Sequence, residues 1–293
     1  MKTVFDINAC LVRKARPGDI PQLIKITRTI WDGHDYLAQV LDRWVHEPWF
    51  LVCQYRQRVI ACLKLTLLPD NVLWFEGLRV HARFQGKGIG KLMNRAGMEL
   101  AQSIGKRLPG LSYEFCTYYR NVESLSLTAK IGFEVVRRFI TLDKSGVHTV
   151  VSPKVIKRLK PEWFHFYPDY IPLGWRSIHN SPAGLSFIRR EAVFFKTPQA
   201  VYMLAGYPER YVTLLDLPPR DIKAELPYFQ YFYGPRRKYG IIMPSEFACA
   251  VPHLKRHGFN FWDEDPDSEP QNMLILRMKD MPAPDGTTPV PLV

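Results

Sequence analysis

The chain has 293 residues, of which 46% are apolar and 23% charged. That balance belongs to a folded globular protein and argues against a disordered, collagen-like or fibrous chain. No run approaches the ~18 consecutive apolar residues of a membrane helix, and residues 1–6 lack the apolar core of a secretory signal, so neither is expected. The net charge is +12, and it is uneven: 22 basic against 13 acidic residues in 1–146, and 18 against 15 in 147–293. An anionic ligand is therefore expected mainly in the first half, with nucleic acid, a membrane surface or a phosphate-rich small molecule as candidates. The five cysteines (Cys10, Cys53, Cys62, Cys116, Cys249) are odd in number and form no C-x-x-C pair, which speaks against a zinc site or disulfide framework and fits a reducing cytoplasm.

In chain order, residues 10–16 read as a strand. A helix follows to about residue 30, with Asp19 as its N-cap and Pro21 in its first turn. A short helix is expected over 36–46. Residues 50–55 and 59–68 read as a hairpin, and 72–80 as a further strand after the Pro69-Asp70-Asn71 turn. Ile89, Leu92, Met93, Ala96, Leu100 and Ile104 share one face of a longer helix. A strand over 111–117, a helix over 122–130 stopped at Gly132, and a strand from Phe133 complete the first half. Residues 161–175 crowd Trp163, Phe164, Phe166, Tyr167, Tyr170 and Trp175 among prolines; we read them as a packed connector, with an aromatic wall of an acceptor pocket as the alternative. Strand patterns recur at 191–196, 200–204 and 211–215. One echo links the halves: Thr117 precedes Phe133 by 16 positions across a helix ending in Gly132, and Met243 precedes Phe259 by 16 across a segment ending in Gly258. This suggests a duplicated unit, although Gly-Phe after a helix is also a common C-cap pattern.

The strongest local signal is Gln85-Gly86-Lys87-Gly88-Ile89-Gly90 between a strand and a helix. Glycine permits positive φ and close approach of a ligand to the backbone, and the free amides and dipole of the following helix favour an anion such as pyrophosphate. Arg83, Lys87, Lys91 and Arg95 add positive charge. The spacing is neither G-x-G-x-x-G nor G-x-x-x-x-G-K-[S/T], which excludes the Rossmann and Walker loops.

With the strand Glu76-Gly77-Leu78-Arg79-Val80 ahead of this loop, and Asn121, Ser124, Gly132 and Phe133 in order after it, the sequence resembles the GNAT superfamily of acyl-CoA-dependent N-acetyltransferases over roughly residues 10–145. The resemblance implies an α/β fold, a mixed and mostly antiparallel twisted sheet flanked by helices. It also implies acetyl-CoA as cosubstrate. Leu78, Arg79 and Val80 would lie along the pantetheine arm, with the Leu78 backbone polarising the thioester carbonyl. Gln85, Gly86, Lys87, Gly88, Ile89, Gly90 and Lys91 would cradle the pyrophosphate, and Asn121 would contact the pantetheine or the sulfur end. The domains expected are residues 1–148 for this fold, 149–175 as connector, and 176–293 as a second α/β domain, either distinct or a degenerate copy of the first.

Transfer to an amine requires removal of a proton, because an amine of pKa about 8–10 is mostly protonated at neutral pH. A positioned carboxylate serves that purpose. Glu76 is the first candidate; alternation places it on a strand face with Trp74, Leu78 and Val80. Glu114 is the second. Many family members carry a tyrosine acid where this chain has Thr128; Tyr118 and Tyr119 are nearby substitutes. The segment 31–37 with Trp44 and Glu47-Pro48 is similar to histidine N-acetyltransferases, which implies a small amine acceptor, such as the α-amino group of a free amino acid, held by Asp35, Tyr36 and Trp74. The rival readings are acetylation of a protein N-terminus or lysine, and a non-catalytic acyl-CoA sensor or RNA-associated protein. His34, His46 and His81 have no ligand spacing, so no metal is expected, and no membrane partner is.

Overall fold

Alternation along two strands decides how the first sheet is covered. In the computed structural model, which describes residues 5–28, 30, 35–263 and 269–279, β1 (Cys10–Lys14), β2 (Phe50–Tyr55), β3 (Arg58–Leu68) and β4 (Val72–Val80) pair antiparallel in that order, and β5 (Ser112–Tyr118) joins β4 parallel. Phe50, Val52 and Cys62 point to one face, where α1 (Ile20–Thr27) and α2 (Leu37–Trp44) cover them with Leu23, Ile26, Leu37, Val40, Leu41 and Trp44. Leu51, Cys53, Ala61 and Leu63 point to the other, against Ile89, Met93 and Ala96 of α3 (Ile89–Gly105). The period of two places each β-branched or apolar residue against a helix, so both faces are dry.

The chain divides into two compact units. The first holds the described residues within Met1–Phe115, Lys130–Gly132 and Arg277–Val293; the second holds those within Cys116–Ala129 and Phe133–Leu276. This division cuts earlier than the sequence boundary at 148/149, because β6 (Glu134–Lys144) pairs from Phe139 to Lys144 with β13 (Tyr239–Pro244), deep in the second half.

The second unit contains α4 (Val122–Ala129), β6, β7 (Lys154–Ile156), the short hairpin of β8 (Tyr170–Pro172) and β9 (Ser177–His179), and α5 (Pro182–Glu191). It continues with β10 (Val193–Lys196), β11 (Val201–Ala205), β12 (Tyr211–Leu214), α6 (Leu226–Tyr231), β13, α7 (Val251–Arg256), β14 (Phe259–Asn260) and β15 (Met273–Met278) as far as Leu276. Its strands β7, β10, β11 and β12 pair antiparallel in that order, and β12 pairs parallel with β13. That is the order and sense of β1-β2-β3-β4-β5. The echo between Thr117–Phe133 and Met243–Phe259 therefore lies on matching pieces: strand, helix, glycine, strand. The aromatic segment 161–175 is packed: Phe164, Tyr167 and Tyr170 are buried, and the Tyr167 hydroxyl donates to Leu214 O.

Two local expectations change. Asp19 stands at the start of α1 but makes no side-chain cap; its carboxylate instead accepts two bonds from Arg13, at 2.7 and 2.8 Å, and one from the Arg16 amide at 2.8 Å. A buried guanidinium outcompetes a helix amide because a fork of charge-assisted bonds is stronger than one neutral bond. The helix itself stops at Thr27, whose hydroxyl donates back to Ile24 O, short of residue 30.

Candidate functional site

The site is built on the C-terminal half of β4. The parallel ladder with β5 runs from Val72↔Ser112 to Trp74↔Glu114 and ends there, which leaves the β5-side edge of Gly77–Val80 outside it. On the β3 side the register shifts between Lys64↔Glu76 and Cys62↔Arg79. Gly77 has φ +68°, and a Cβ there would stand 2.6 Å from Trp44 Cζ3. Only glycine tolerates both the left-handed backbone and the approach of that ring.

This irregularity corrects the expected face of Glu76. Leu78 and Val80 pack with the α3-side cluster. Glu76 lies opposite Lys64 and accepts 2.6 Å from Thr66 Oγ1 on the α1/α2 side. Alternation from Glu76 to Leu78 fails because an extra residue in a strand reverses the pleat beyond it. Glu76 is half-buried, whereas Glu114 is fully buried, accepts from Ser112 Oγ at 2.9 Å and has Arg277 Nε 3.9 Å away.

Beyond β4, Gln85 Nε2 donates to Val80 O at 3.2 Å, and His81 Nδ1 accepts from the Arg83 amide. Burial, together with the charges of Arg83 and Arg58, holds His81 below the usual imidazole range, in keeping with a neutral acceptor nitrogen. Gly86 and Gly88 have φ +70° and +81°. α3 starts at Ile89 with Gly88 as its cap residue and no side-chain cap; its first-turn amides therefore have no intrahelical acceptor. Cβ positions on Gly86 and Gly90 would meet no atom within 4 Å. Arg83, Lys87 and Lys91 are exposed, and the Lys87 ammonium lies 5.4 Å from the ring centroids of both Phe5 and Phe84. A helix start that is uncapped, open and flanked by cations fits a phosphate-rich group.

Asp35 and Arg79, expected at the acceptor and at the cosubstrate respectively, bind each other. Arg79 Nε and Nη2 donate to Asp35 at 2.8 and 3.1 Å, and Arg79 Nη1 donates to Leu78 O at 3.0 Å. Asp35 also accepts from the Leu37 amide, and the Arg79 guanidinium lies 5.5 Å from the Tyr36 ring centroid. Trp74 is buried, so it serves the core of the unit and does not line an open surface. Trp31, Asp32, Gly33 and His34 lie outside the described residues. In the second unit, Asn121 caps α4, accepting from the Ser124 amide and donating to Thr117 Oγ1. The Thr128 hydroxyl donates to Ser124 O at 2.8 Å, and the Tyr118 hydroxyl donates to Asp263. Among the described residues, no three His, Cys, Asp or Glu side chains are grouped to hold a metal.

The sequence reading gave no site role to Cys62, Lys64 or Thr66, and set Trp44 beside the acceptor, where the structure packs its ring against Gly77. Lys64 is buried with its ammonium on Pro48 O at 2.9 Å and Leu65 O at 2.6 Å, 3.5 Å from Glu47. The available signal was Gly77, since an isolated glycine inside a strand pattern marks a bulge or a close approach.

Residues 20–133 match the Acetyltransferase (GNAT) family. No curated protein matches the chain. Among solved structures the chain is similar to a GCN5-related N-acetyltransferase from Sphaerobacter thermophilus, with 14% identity and a TM-score of 0.62, covering 97% of this chain and 99% of that one. It is also similar to a protein from Thermoplasma acidophilum described as an acetyltransferase, with 15% identity and a TM-score of 0.59, covering 92% and 100%. At these identities the likeness concerns the fold, and it extends over both units.

Proposed function

Through residues 20–133 this chain belongs to the GNAT acetyltransferase family, and from that premise we propose that it transfers an acetyl group from acetyl-CoA directly to a small amine, such as the α-amino group of a free amino acid. The observation that carries the proposal is the pairing, in one unit, of an interrupted strand edge at Gly77–Val80 with an uncapped glycine-rich helix start at Gly86–Lys91.

Acetyl-CoA supplies an acyl group activated as a thioester. The amides of Gly86 to Lys91 bind its pyrophosphate, with Gln85 holding the strand end that leads into the loop. Leu78 and Val80 offer backbone groups to the pantetheine, and the Leu78 N–H polarises the thioester carbonyl. Glu76 accepts the proton of the attacking amine, directly or through water. It is preferred over Glu114 because a base must be reachable, and Glu114 is enclosed. Thr128 supplies no acid for the thiolate, since its hydroxyl proton is engaged by the α4 backbone.

A thiol-release assay with acetyl-CoA against amino acids, polyamines and peptides tests the proposal. Glu76→Gln is expected to lose about 10²-fold or more in kcat, with Glu114→Gln far less affected. Release with no amine in the panel would overturn the enzymatic reading, and wild-type rates in both variants across pH would overturn the base assignment.

A further inference from the structure

At the irregularity in β4, Gly77 and Leu78 together face one residue of β3, Leu63. A bulge of this kind turns two consecutive peptide planes out of the ladder, and their carbonyls must find other donors. Both do. Cys62 Sγ donates to Gly77 O at 3.4 Å, and Arg79 Nη1 donates to Leu78 O at 3.0 Å. Cys62 is wholly enclosed in the core. Burial pushes its pKa up to about 12, which keeps the proton on sulfur and the donor in place at physiological pH. The Arg79 guanidinium is fixed in turn by the two bonds to Asp35, whose side chain is fully buried. Trp44 closes the floor against Gly77.

In a planar trans peptide, N–H and C=O point in opposite directions. Holding Gly77 O toward Cys62 on β3 therefore points the Leu78 N–H away from β3, to the edge that the β5 ladder leaves open beyond Trp74. We infer that Cys62 and the Asp35–Arg79 pair are positioning residues, which lock the two peptide planes of the bulge so that the Leu78 N–H stays aimed at the thioester carbonyl of the acyl donor. The inference rests on the proposed transferase function and gives it a specific support. A donor contributes to catalysis only if its direction is set before the charge develops. Neither group touches the donor or the acceptor; each acts through the Leu78 backbone. The pair also joins Asp35, at the start of α2, to the strand that carries the donor amide.

The test uses the full chain, steady-state kinetics and the infrared carbonyl stretch of bound acetyl-CoA labelled with 13C at the thioester carbon. In the wild type the stretch is expected below its solution value. Cys62→Ala is expected to lower kcat about 10-fold, a fraction of the ~10²–10³ assigned to a whole oxyanion donor, to leave KM for acetyl-CoA within about twofold, and to return the stretch toward solution. Cys62→Ser, which keeps a small donor, restores most of both. Asp35→Asn, which weakens the hold on Arg79, moves kcat and the stretch in the same direction as Cys62→Ala and carries the comparison if that variant does not fold. Wild-type kcat and an unmoved stretch in Cys62→Ala and Asp35→Asn overturn the positioning role alone. A change confined to KM, or a loss that serine does not restore, does so too. Failure of the wild type to bind acetyl-CoA at all overturns the transferase reading and this inference with it.

Discussion

The two units lay their strands down in one order and diverge where the fourth strand hands over to a helix. In the first, β4 is nine residues long, carries the bulge, and leads through Gly86 and Gly88 into the 17-residue α3 with no side-chain cap. In the second, β12 has four residues that pair continuously with β11, and the chain then passes through Pro218 and Pro219 to a 3₁₀ turn and the six-residue α6. The Asp221 carboxylate caps that turn by accepting from the Ala224 amide, and Glu225, fully buried, sits at the start of α6 with bonds from Thr197 and Gln199. One helix start is open and flanked by lysines; the other already holds two carboxylates. A further anion there would meet like charge in place of free amides. Strand order is thus set by core packing, whereas the phosphate binding proposed for this chain rests on a few residues at one strand–helix junction.

The largest expected effect separates chemistry from fold: Glu76→Gln loses about 10²-fold or more in kcat with an unchanged melting temperature. Arg13→Ala tests the packing of the first unit. It strands the buried Asp19 carboxylate and is expected to cost about 3 kcal/mol in denaturant unfolding. Burial would raise the Asp19 pKa, but the bonds and charges of Arg13 and the Arg16 amide outweigh it and hold it below the usual range. A depressed folded pKa stabilises above the unfolded value of about 3.9. The gap between wild type and Arg13→Ala should therefore shrink as pH falls below about 4 and through the folded value; a gap constant down to pH 2 would contradict this.

At the helix start, Gly88→Val forces a β-branched residue to φ +81° with Ile7 Cδ1 3.1 Å from its Cβ. Strain of about 1–3 kcal/mol should appear as roughly a tenfold or greater rise in the Kd for acetyl-CoA, read by calorimetry. The smallest effect belongs to the second unit. Asp221→Ala removes a cap worth about 1 kcal/mol and should leave acetyl-CoA affinity unaltered; a change in that affinity would place phosphate binding in the wrong unit.

Much of the first unit was legible because its signals are local. Alternation in β2 and β3, the turn at Pro69–Asn71, the apolar stripe of α3 and the glycine loop each span fewer than twenty residues, and the structure places β2, β3, β4 and α3 within a residue or two of the expected spans. In the second unit the strands at 193–196, 201–205 and 211–214 were legible for the same reason. The short β7, β8 and β9 were not, because three residues carry no readable period. The site was legible only as far as local pattern reaches. Gly77 announced an irregularity but not the reversal of faces that separates Glu76 from Leu78. The bonds between Asp35 and Arg79 join residues 44 positions apart, and nothing in either neighbourhood signals the other. In the sequence Cys62 is one of five cysteines without a pairing pattern, and only the bulge gives its thiol a carbonyl to hold.

The central claim is that one of two like-ordered units carries the proposed acyl-CoA site, and calorimetric titration of the full chain with acetyl-CoA tests it most directly. The account predicts one site per chain, weakened by Gly88→Val and indifferent to Asp221→Ala. Two equivalent sites, no binding, or a single site that Asp221→Ala abolishes and Gly88→Val spares would contradict it.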